Sequence, residues 1–280
     1  MLLDRPQSWR LEFLGIPRGE TIMNASERHN KIIEIVLENG RINIPDICKI
    51  FGVSDMTARR DLNELDRMGL LRRVHGGAIA SLGRSYEPSF TTRATKNQPS
   101  KTAIGLKAAE LVYDGDSIAL DVGTTTLEIV PGLRGKRNLT IVTSCIQIAT
   151  KVVDQISLEV DARLILTGGI VRPRELSMIG SIPEQVYRDL HVDKAFIGIG
   201  GISIEDGLTE YNIEDTQIKR MLIRSAREKI VVADGAKFGV TTFASVAPLT
   251  AVDKIVTDRS APPEVIEQIT EQGVEVILAD

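Results

Sequence analysis

The chain has 280 residues, 42% of them hydrophobic, which is enough for one large packed domain and a small one. A formal net charge of -4 and a pI near 5.6 argue against a protein that coats nucleic acid non-specifically, so any DNA contact must be local. No uncharged apolar run reaches the ~18 residues that a membrane span needs. We therefore expect a cytoplasmic protein with no membrane partner.

The two cysteines, Cys48 and Cys145, stand in apolar, helix-like contexts without a C-x-x-C spacing or histidine partners. Buried reduced thiols are expected at both positions rather than a disulfide or a metal site.

Residues 1–22 lack the unbroken apolar stretch of a signal peptide, and Met23 precedes a helix-like run. We interpret residues 1–26 as a disordered tail or as the product of an upstream start codon. The alternative is an added helix that packs on a partner through its apolar side chains, which are Trp9, Leu11, Phe13 and Leu14.

Two short helices are predicted first. Residues 27–37 carry apolar side chains at helical spacing and stop at Gly40. The second helix is predicted to begin at Asn43, whose side chain can cap it, and to end at Gly52. Asp46, three residues later, can accept a hydrogen bond from the backbone N–H of Asn43 in return. This helix is expected to bury Ile44, Ile47, Cys48 and Phe51.

A third helix is predicted from its cap at Ser54 to Gly69, with an apolar stripe of Ala58, Leu62 and Leu65. Two helices joined by a glycine-containing turn are typical of a helix-turn-helix. When the second helix starts with small polar residues and arginines, it is the one expected to enter the major groove of DNA. Residues 70–80 then read as two short strands around Gly76-Gly77, which predicts a wing.

The predicted DNA contacts lie off the apolar stripe, in the first turn of the third helix, and near the tip of the wing. They are Ser54, Thr57, Arg59, Arg60, Asn63, Arg72, Arg73 and His75. The alternative is a protein-interaction module with a merely solvated charged face. The acidic residues Asp55, Asp61, Glu64 and Asp66 nearly cancel the arginines, so the order of cap, turn, arginines and wing supports DNA binding, and charge does not.

The run VSDMTARRDLNELDRMGLLRRVHGGAI resembles the signature of the DeoR family of bacterial regulators. The resemblance implies a winged helix-turn-helix over residues 27–80, followed by a sugar-phosphate-sensing domain. Ala58 departs from the family, which usually has a larger aliphatic residue there, and a small cavity or local repacking is the expected cost.

Residues 81–100 are rich in Ser, Thr, Pro and basic residues without a sustained period, which predicts a linker. Residues 101–280 alternate helical patterns with short apolar runs. This pattern predicts an α/β domain with a mainly parallel sheet, where ligands bind at the carboxyl ends of the strands.

The strand SIALDV leads through Asp121 into a glycine and three threonines, Gly123, Thr124, Thr125 and Thr126, where a helix is predicted to begin. Backbone N–H groups and hydroxyls at such a position suit an anion. The threonines would equally serve as helix caps. DVGTTT also resembles the phosphate loop of the actin and sugar-kinase ATPases, but that fold places the loop in a hairpin and needs a longer chain.

Further polar residues follow other strands or share a helix, and together they suit a polyol phosphate, with cations for the phosphate and carboxylates for hydroxyls. They are Ser144, Gly168, Gly169, Arg172, Glu214, Lys219, Asp234 and Lys237. Each also has a purely structural explanation, as a turn, a strand end or a surface ion pair.

Residues 100–260 resemble the sensor domain of DeoR regulators, which is related to the ribose-5-phosphate isomerase and glucosamine-6-phosphate deaminase folds. The resemblance implies that an effector site is lined by Gly123 to Thr126, Ser144, Gly169, Arg172, Glu214, Lys219 and Lys237. Ser144 departs from the asparagine common in the family, which points to a different hydrogen-bonding pattern or a different effector.

These observations predict a repressor of carbohydrate-metabolism genes that binds double-stranded operator DNA and responds to a phosphorylated sugar, without cofactor, metal or enzymatic activity. A single small DNA-binding domain offers too little interface for a specific site, so a homo-oligomer, either a dimer or a tetramer, is expected. The alternative is an isomerase-like enzyme carrying a DNA-binding module. That function needs a positioned acid–base pair, for which Glu214 and Lys219 are the candidates.

Overall fold

The computed structural model describes residues 24–80, 83–156 and 162–280, and the chain divides into two compact units, Met1–Leu82 and Gly83–Asp280. The predictions for residues 1–22 lie outside the described residues. Residues 24–26, which were predicted to belong to a tail, instead form the cap and first turn of a helix. No helix within the described ranges is long and apolar enough to cross a membrane.

The first unit contains α1 (Ala25–Asn39), β1 (Arg41–Asn43), α2 (Ile44–Phe51), α3 (Asp55–Arg67), β2 (Leu71–Val74) and β3 (Gly77–Ala80). The α1 helix begins two residues before its predicted start because Asn24 and Glu27 form a capping box. Asn43 occupies the cap position of α2, but its side chain makes no cap hydrogen bond, so that prediction was wrong. Ser54 caps α3 as predicted and accepts a hydrogen bond of 3.2 Å from the N–H of Thr57.

The wing is a three-stranded antiparallel sheet in the order β1-β3-β2, and β1 was not predicted. Three residues are too few to show a strand period. Gly77 lies in β3, not in the turn, and a Cβ atom there would lie 2.1 Å from the carbonyl oxygen of Ile42. Only glycine therefore allows β1 to pair with β3.

Apolar side chains of α1, α2 and α3 form the core of this unit, including Ile32, Val36, Ile47, Ala58, Leu62 and Leu65. The carboxylate of Asp61, on α3, is also buried. It accepts hydrogen bonds from the guanidinium of Arg28 at 2.6 and 3.0 Å and lies 2.9 Å from Nε2 of His29. Burial by itself raises the pKa of Asp61, but the hydrogen bonds from α1 outweigh it and the pKa is lowered. Asp61 thus fixes the orientation of α3 and contributes no negative charge to its outer face.

The apolar face of α2 is buried less completely than predicted. Ile44 and Ile47 are buried, but Cys48 and Phe51 are only half-buried, so the prediction of full burial was wrong for these two residues. Both Cys48 and Cys145 are free thiols, and Cys145 is buried in the second unit as expected.

Replacing Asp61 with Asn should lower the free energy of unfolding of the first unit by about 1.5–3 kcal/mol at pH 7, because two charge-assisted hydrogen bonds are lost. The lowered pKa means that this stabilisation is present above about pH 4 and disappears as the pH falls through the folded-state pKa. Urea unfolding at pH 7 and pH 3 measures both effects.

Asp55→Asn, at an exposed position on the same helix, is the control and should change stability by less than about 0.5 kcal/mol. Equal effects of the two substitutions, or a pH-independent effect of Asp61→Asn, would contradict the assignment.

The second unit contains, in chain order, α4 (Phe90–Thr95), α5 (Gln98–Ala109), β4 (Ser117–Leu120), a 3₁₀ helix (Thr126–Leu133), β5 (Leu139–Thr143), α6 (Ile146–Gln155), β6 (Ala162–Leu166), β7 (Ile170–Arg172), β8 (Ser177–Ile179), α7 (Ser181–Asp189), β9 (Val192–Ile197), β10 (Gly201–Ser203), β11 (Gly207–Glu210), α8 (Ile213–Ser225), β12 (Ala226–Val232), β13 (Ala244–Ala247), β14 (Lys254–Asp258), α9 (Pro263–Glu271) and β15 (Glu275–Ala279).

Seven of the described strands form a parallel sheet in the order β15-β14-β12-β9-β4-β5-β6, which confirms the predicted α/β class. Alternate residues of each strand face opposite layers. Ile118 and Leu120 belong to the apolar core with α5 and α6, whereas Ala119 belongs to the core with α7 and α8. The antiparallel hairpin β7–β8 and the small sheet β10-β11-β13 were not predicted.

Residues 83–100 belong to the second unit, and helices α4 and α5 occupy most of residues 90–100, so the prediction of an irregular linker was wrong there, whereas residues 83–89 are irregular. Ser89 caps α4, Phe90 is buried, and α5 begins at Gln98. The segment looks irregular in sequence because α4 has only six residues and carries a single large apolar side chain.

The strand order reverses between β4 and β9, since the chain continues from β4 to β5 on one side and places β9 on the other. Such a reversal opens a crevice at the carboxyl ends of the two strands. Asp121 follows β4 and Gly198 follows β9, and the N–H of Gly198 donates to Oδ2 of Asp121 at 3.1 Å.

Candidate DNA-reading surface and anion site

The outer face of α3 gathers most of the predicted DNA contacts. Arg59, Arg60 and Asn63 are exposed, and Ser54 is exposed at the cap. Thr57 is half-buried, and its hydroxyl lies 2.9 Å from that of Ser54, so its first role is in the cap. Nε of Arg59 donates to Asp55 at 2.5 Å. Both partners are solvated, so the pair contributes little energy and leaves Arg59 able to exchange it for a phosphate or a base.

The three wing residues are not equivalent. Arg72 and His75 are exposed, whereas Arg73 is half-buried. The backbone N–H of Arg73 donates to the carboxylate of Asp66 at 2.9 Å. Nη1 of Arg73 is buried without a partner among the described residues. The wing therefore offers Arg72 and His75 as the accessible contacts.

Replacing Arg59 and Arg60 together with Ala should reduce the affinity for specific operator DNA at least 100-fold, because each bidentate arginine contact with a base contributes about 1–3 kcal/mol. The slope of log affinity against log salt should also flatten, by about 1 for each arginine that binds a phosphate in the wild-type complex. Fluorescence anisotropy on a duplex selected by the chain itself from a random library measures both quantities.

The double Lys variant is the matched comparison, since it keeps the charge and removes the planar two-pronged donor. It should retain binding to random DNA while losing specificity. Unchanged specific binding by the Ala variant would show that α3 does not read DNA.

In the second unit, a buried ion-pair cluster occupies the crevice at the ends of β4 and β9. Nζ of Lys219, on α8, lies 2.5 Å from Oδ2 of Asp121 and 3.3 Å from Oε2 of Glu210. The three residues are at most 5% exposed. Burial lowers the pKa of Lys219, but the surrounding carboxylates outweigh it and the pKa is raised, so the ammonium stays charged. Burial raises the pKa of Asp121 to about 6, despite its bond to Lys219.

Glu214 does not join this cluster. It is exposed, whereas Lys219 on the same helix is buried, so the predicted shared face of these two residues was wrong. Five positions along a helix correspond to about 500°, which places the side chains well apart. Asp215 and Glu210 are the acidic neighbours of Lys219 instead.

The loop after Asp121 contains backbone N–H groups at the N-terminus of the 3₁₀ helix. The N–H groups of Gly123, Thr124 and Thr125 donate to no acceptor within the described part of the chain. The hydroxyl of Thr126 donates to the carbonyl of Gly123 at 2.9 Å and closes the turn. The helix that follows is 3₁₀ and contains Pro131, so the α-helix expected there is absent over residues 126–133. Neighbouring backbone N–H groups that lack an acceptor are candidate donors to an anion.

A second charged cluster surrounds Arg172. Its guanidinium is hydrogen-bonded to the carboxylate of Asp215 and, at 2.7 Å, to Oε2 of Glu87. The other oxygen of Glu87 lies 3.1 Å from Arg93, which also pairs with Glu175. Burial raises the pKa of Glu175 to about 7 although Arg93 opposes the shift. Both terminal nitrogens of Arg172 are thus hydrogen-bonded to carboxylates.

Lys101, in the first turn of α5, was missed by the sequence reasoning. The side chain is buried, and its Nζ donates to the backbone carbonyls of Arg93 and Lys96, with no carboxylate in ion-pair range among the described residues. Burial lowers the pKa of Lys101 to about 8, with Asp234 opposing and Lys237 assisting the shift. Its sequence context looks like an ordinary helix surface, and only the fold turns it inward.

Lys237 and Asp234 lie at the end of β12, next to this lysine. Nζ of Lys237 is 3.4 Å from the hydroxyl of Tyr211 and 5.5 Å from its ring centroid. Asp234 caps the following 3₁₀ turn and lies 3.4 Å from the side-chain nitrogen of Asn97. Lys101 and Lys237 are therefore cations near one strand end that form no direct ion pair with a carboxylate within the described ranges.

The remaining predicted site residues have mixed positions. Ser144 is fully buried after β5, and its hydroxyl has no partner among the residues described here. Gly168 and Gly169 make the turn after β6 with φ of 76° and 126°. A Cβ atom on Gly169 would lie 2.8 Å from the carbonyl oxygen of Ile179, so this glycine is explained by packing.

A helix-turn-helix with an antiparallel wing, on the same chain as an α/β unit with polar groups at one sheet edge, defines a transcription regulator with a sensor domain. The chain belongs to the DeoR family. The family model of the DeoR C terminal sensor domain matches residues 96–259, and that of the DeoR-like helix-turn-helix domain matches residues 28–81. The protein is therefore a DNA-binding transcriptional regulator, as the resemblance predicted.

Relatives match along almost their whole length. The chain is 32% identical over 254 residues to the HTH-type transcriptional regulator GolR of Listeria innocua, covering 91% of this chain and 98% of that protein. It is 31% identical over 256 residues to the glycerol-3-phosphate regulon repressor of Escherichia coli, covering 91% and 100%. Ribose 5-phosphate isomerase A from Methanocaldococcus jannaschii gives a TM-score of 0.37 at 17% identity, covering 51% of this chain and 55% of that one.

Proposed function

We propose that this chain represses genes of carbohydrate metabolism, that it binds operator DNA as a symmetric homo-oligomer, and that a phosphorylated sugar bound to the second unit lowers its affinity for the operator. The observation that carries the effector proposal is that N–H groups without an acceptor in the described part of the chain and the buried ion-pair cluster follow β4 and β9, while Lys101 and Lys237 lie near the end of the neighbouring strand β12. The name of the glycerol-3-phosphate regulon repressor supports the same class of effector.

The phosphate is proposed to bind the N–H groups of Gly123 to Thr125 together with Lys101 and Lys237. These groups fit a dianion because neither lysine forms an ion pair with a carboxylate among the described residues, and because unpartnered N–H groups need an acceptor. Lys219 suits this task less well, since Asp121 and Glu210 already neutralise it.

The sugar hydroxyls are proposed to bind near Asp121, Glu210 and Ser144. Carboxylates accept hydrogen bonds from hydroxyls, and the hydroxyl of Ser144, which has no partner within the described ranges, supplies one more polar contact. Since Lys219 holds both carboxylates at fixed distances, the positions of these acceptors are set before an effector binds.

An isomerase activity is the second candidate, because Asp121, with a pKa raised to about 6, lies beside a charged lysine in the same crevice. Incubating the protein with aldose and ketose phosphates and following product by NMR decides between the two. Turnover that Asp121→Asn abolishes would favour the enzyme, whereas binding without turnover favours the sensor.

A panel of sugar phosphates should include compounds that raise the melting temperature of the second unit. At a ligand concentration of 100 times Kd, such a compound should add about 2.7 kcal/mol to the free energy of unfolding. Lys101→Met should weaken the binding of such a compound at least tenfold at pH 7, because a charge-assisted hydrogen bond contributes about 1.5–3 kcal/mol. Isothermal titration calorimetry measures the affinities.

The affinity should also fall as the pH rises through about 8, because Lys101 loses its proton there while the phosphate stays dianionic. Lys101→Met removes this pH dependence if the assignment holds. Arg188→Met, at an exposed position of α7, removes the same charge and serves as the control. A Lys101→Met protein that binds like the wild type at pH 7 would refute the proposed phosphate position.

A further inference from the structure

One large apolar side chain projects from the surface of α3 that reads DNA. Met56 is 79% exposed, the highest value among the large hydrophobic residues described. It stands in the first turn of the helix, directly after the Ser54 cap. An isolated exposed apolar residue carries no meaning by itself, so its position relative to the polar residues decides what it can do.

Helix geometry places Met56 on the face of the predicted contacts. Arg59, Arg60 and Asn63 lie three, four and seven positions further along, which is the spacing of side chains that share one face. In helix-turn-helix proteins the first turns of this helix contact base edges in the major groove. The apolar group that base pairs display there is the C5 methyl group of thymine.

We propose that Met56 packs its thioether chain against the methyl group of a thymine in each operator half-site and so determines specificity at that position. The thioether is flexible and polarisable, which suits contact with a methyl group, and it offers only a weak hydrogen-bond acceptor to any other base edge. The arginines would read or position neighbouring bases, and Met56 would add a thymine requirement that no charged residue supplies.

The test uses a duplex that the full chain selects from a random library. Each thymine is replaced in turn by deoxyuridine, which removes the methyl group and keeps every hydrogen bond. With the wild-type protein, one position per half-site should show an affinity about fourfold lower, corresponding to one buried methyl group. Met56→Ala should bind the thymine and deoxyuridine forms of that position equally, and Met56→Leu should restore the discrimination.

Met68→Ala is the matched control, because Met68 is also exposed on this unit but stands at the C-cap of α3. It should leave the deoxyuridine profile unchanged. A Met56→Ala protein that still discriminates thymine from deoxyuridine at every position where the wild type does would overturn the proposal, as would a wild type insensitive to all thymine methyl groups.

A second, independent inference concerns Glu87, whose carboxylate lies between two arginines. One oxygen is 2.7 Å from Arg172 and 3.0 Å from the side-chain nitrogen of Asn212, and the other is 3.1 Å from Arg93. An anion that binds the two terminal nitrogens of Arg172 competes with Glu87 and Asp215 for them. Asp215 is held in the first turn of α8, where its N–H donates to the capping side chain of Asn212, whereas Glu87 lies in an irregular segment before α4.

We infer that Glu87 is an internal competitor for an anionic group of the effector other than the phosphate placed at Lys101 and Lys237, and that its displacement from Arg172 and Arg93 releases residues 83–89. This inference rests on the proposed function. Residues 83–89 directly follow the first unit in sequence, so the inference predicts that their release changes the affinity for operator DNA. The effector would then have differential contacts with two arrangements of the chain, which a ligand-controlled equilibrium requires.

Glu87→Gln tests the inference with inorganic phosphate as the probe, since the neutral amide keeps the size of the side chain and gives up its charge. The variant should bind phosphate about fivefold to tenfold more tightly than the wild type in calorimetry at pH 7, which corresponds to about 1–1.4 kcal/mol. It should also bind the selected operator duplex more weakly, by a similar factor, without any phosphate present.

Glu214→Gln removes the same charge from an exposed position of α8 and should match the wild type in both assays. If wild type and Glu87→Gln bind phosphate equally, the competitor role is wrong while the effector site stands. If neither binds phosphate, both the competitor role and the proposed site are wrong. Phosphate binding by Glu87→Gln but not by the wild type would support the competitor role, because Glu87 would then exclude phosphate completely.

Discussion

The buried ammonium of Lys219 is the interaction on which the second unit depends. An unpaired charge in such a place would be strongly unfavourable, and the bonds to Asp121 and Glu210 offset that cost only while α8, the end of β4 and the end of β11 keep their relative positions. Removing either side of the cluster would leave a buried uncompensated charge. The ion pairs therefore hold the crevice at the strand reversal in one shape.

Charge is divided between two neighbouring regions of this crevice. In one region Arg172 and Arg93 are each paired with carboxylates, including Glu87 from the segment that precedes α4. Near the end of β12, Lys101 and Lys237 bond only to carbonyl or hydroxyl oxygens among the described residues. The proposed phosphate position uses the lysines that have no carboxylate partner in the described part of the chain, and the proposed displacement of Glu87 uses the cluster in which the arginines are paired.

In the DNA-binding unit, too, a buried carboxylate is paired with cations and holds a helix in position. Asp61 is buried against α1 through Arg28 and His29, so an acidic residue that weakens the charge argument in sequence holds the helix in place instead. The outer face of α3 presents Arg59, Arg60, Asn63 and an exposed methionine, with Asp55 paired to Arg59. A chain with a formal charge of -4 can in this way present a local surface that is not acidic.

The sequence alone determined the features that depend on local periodicity: the three helices and hairpin of the first unit, the parallel α/β class of the second, and the cap at Ser54. It also pointed to Asp121, which follows an apolar strand, and to Lys219, a charged residue in a predicted helix, as candidate site residues. It could not identify Lys101 or Glu87, nor reject Glu214. Whether a charged side chain on a helix points inward depends on what that helix packs against, and this is decided by contacts between residues far apart in the chain. The ion pairs of Asp61 and Asp121, over 33 and 98 residues, are such contacts, and only the tertiary structure fixes them.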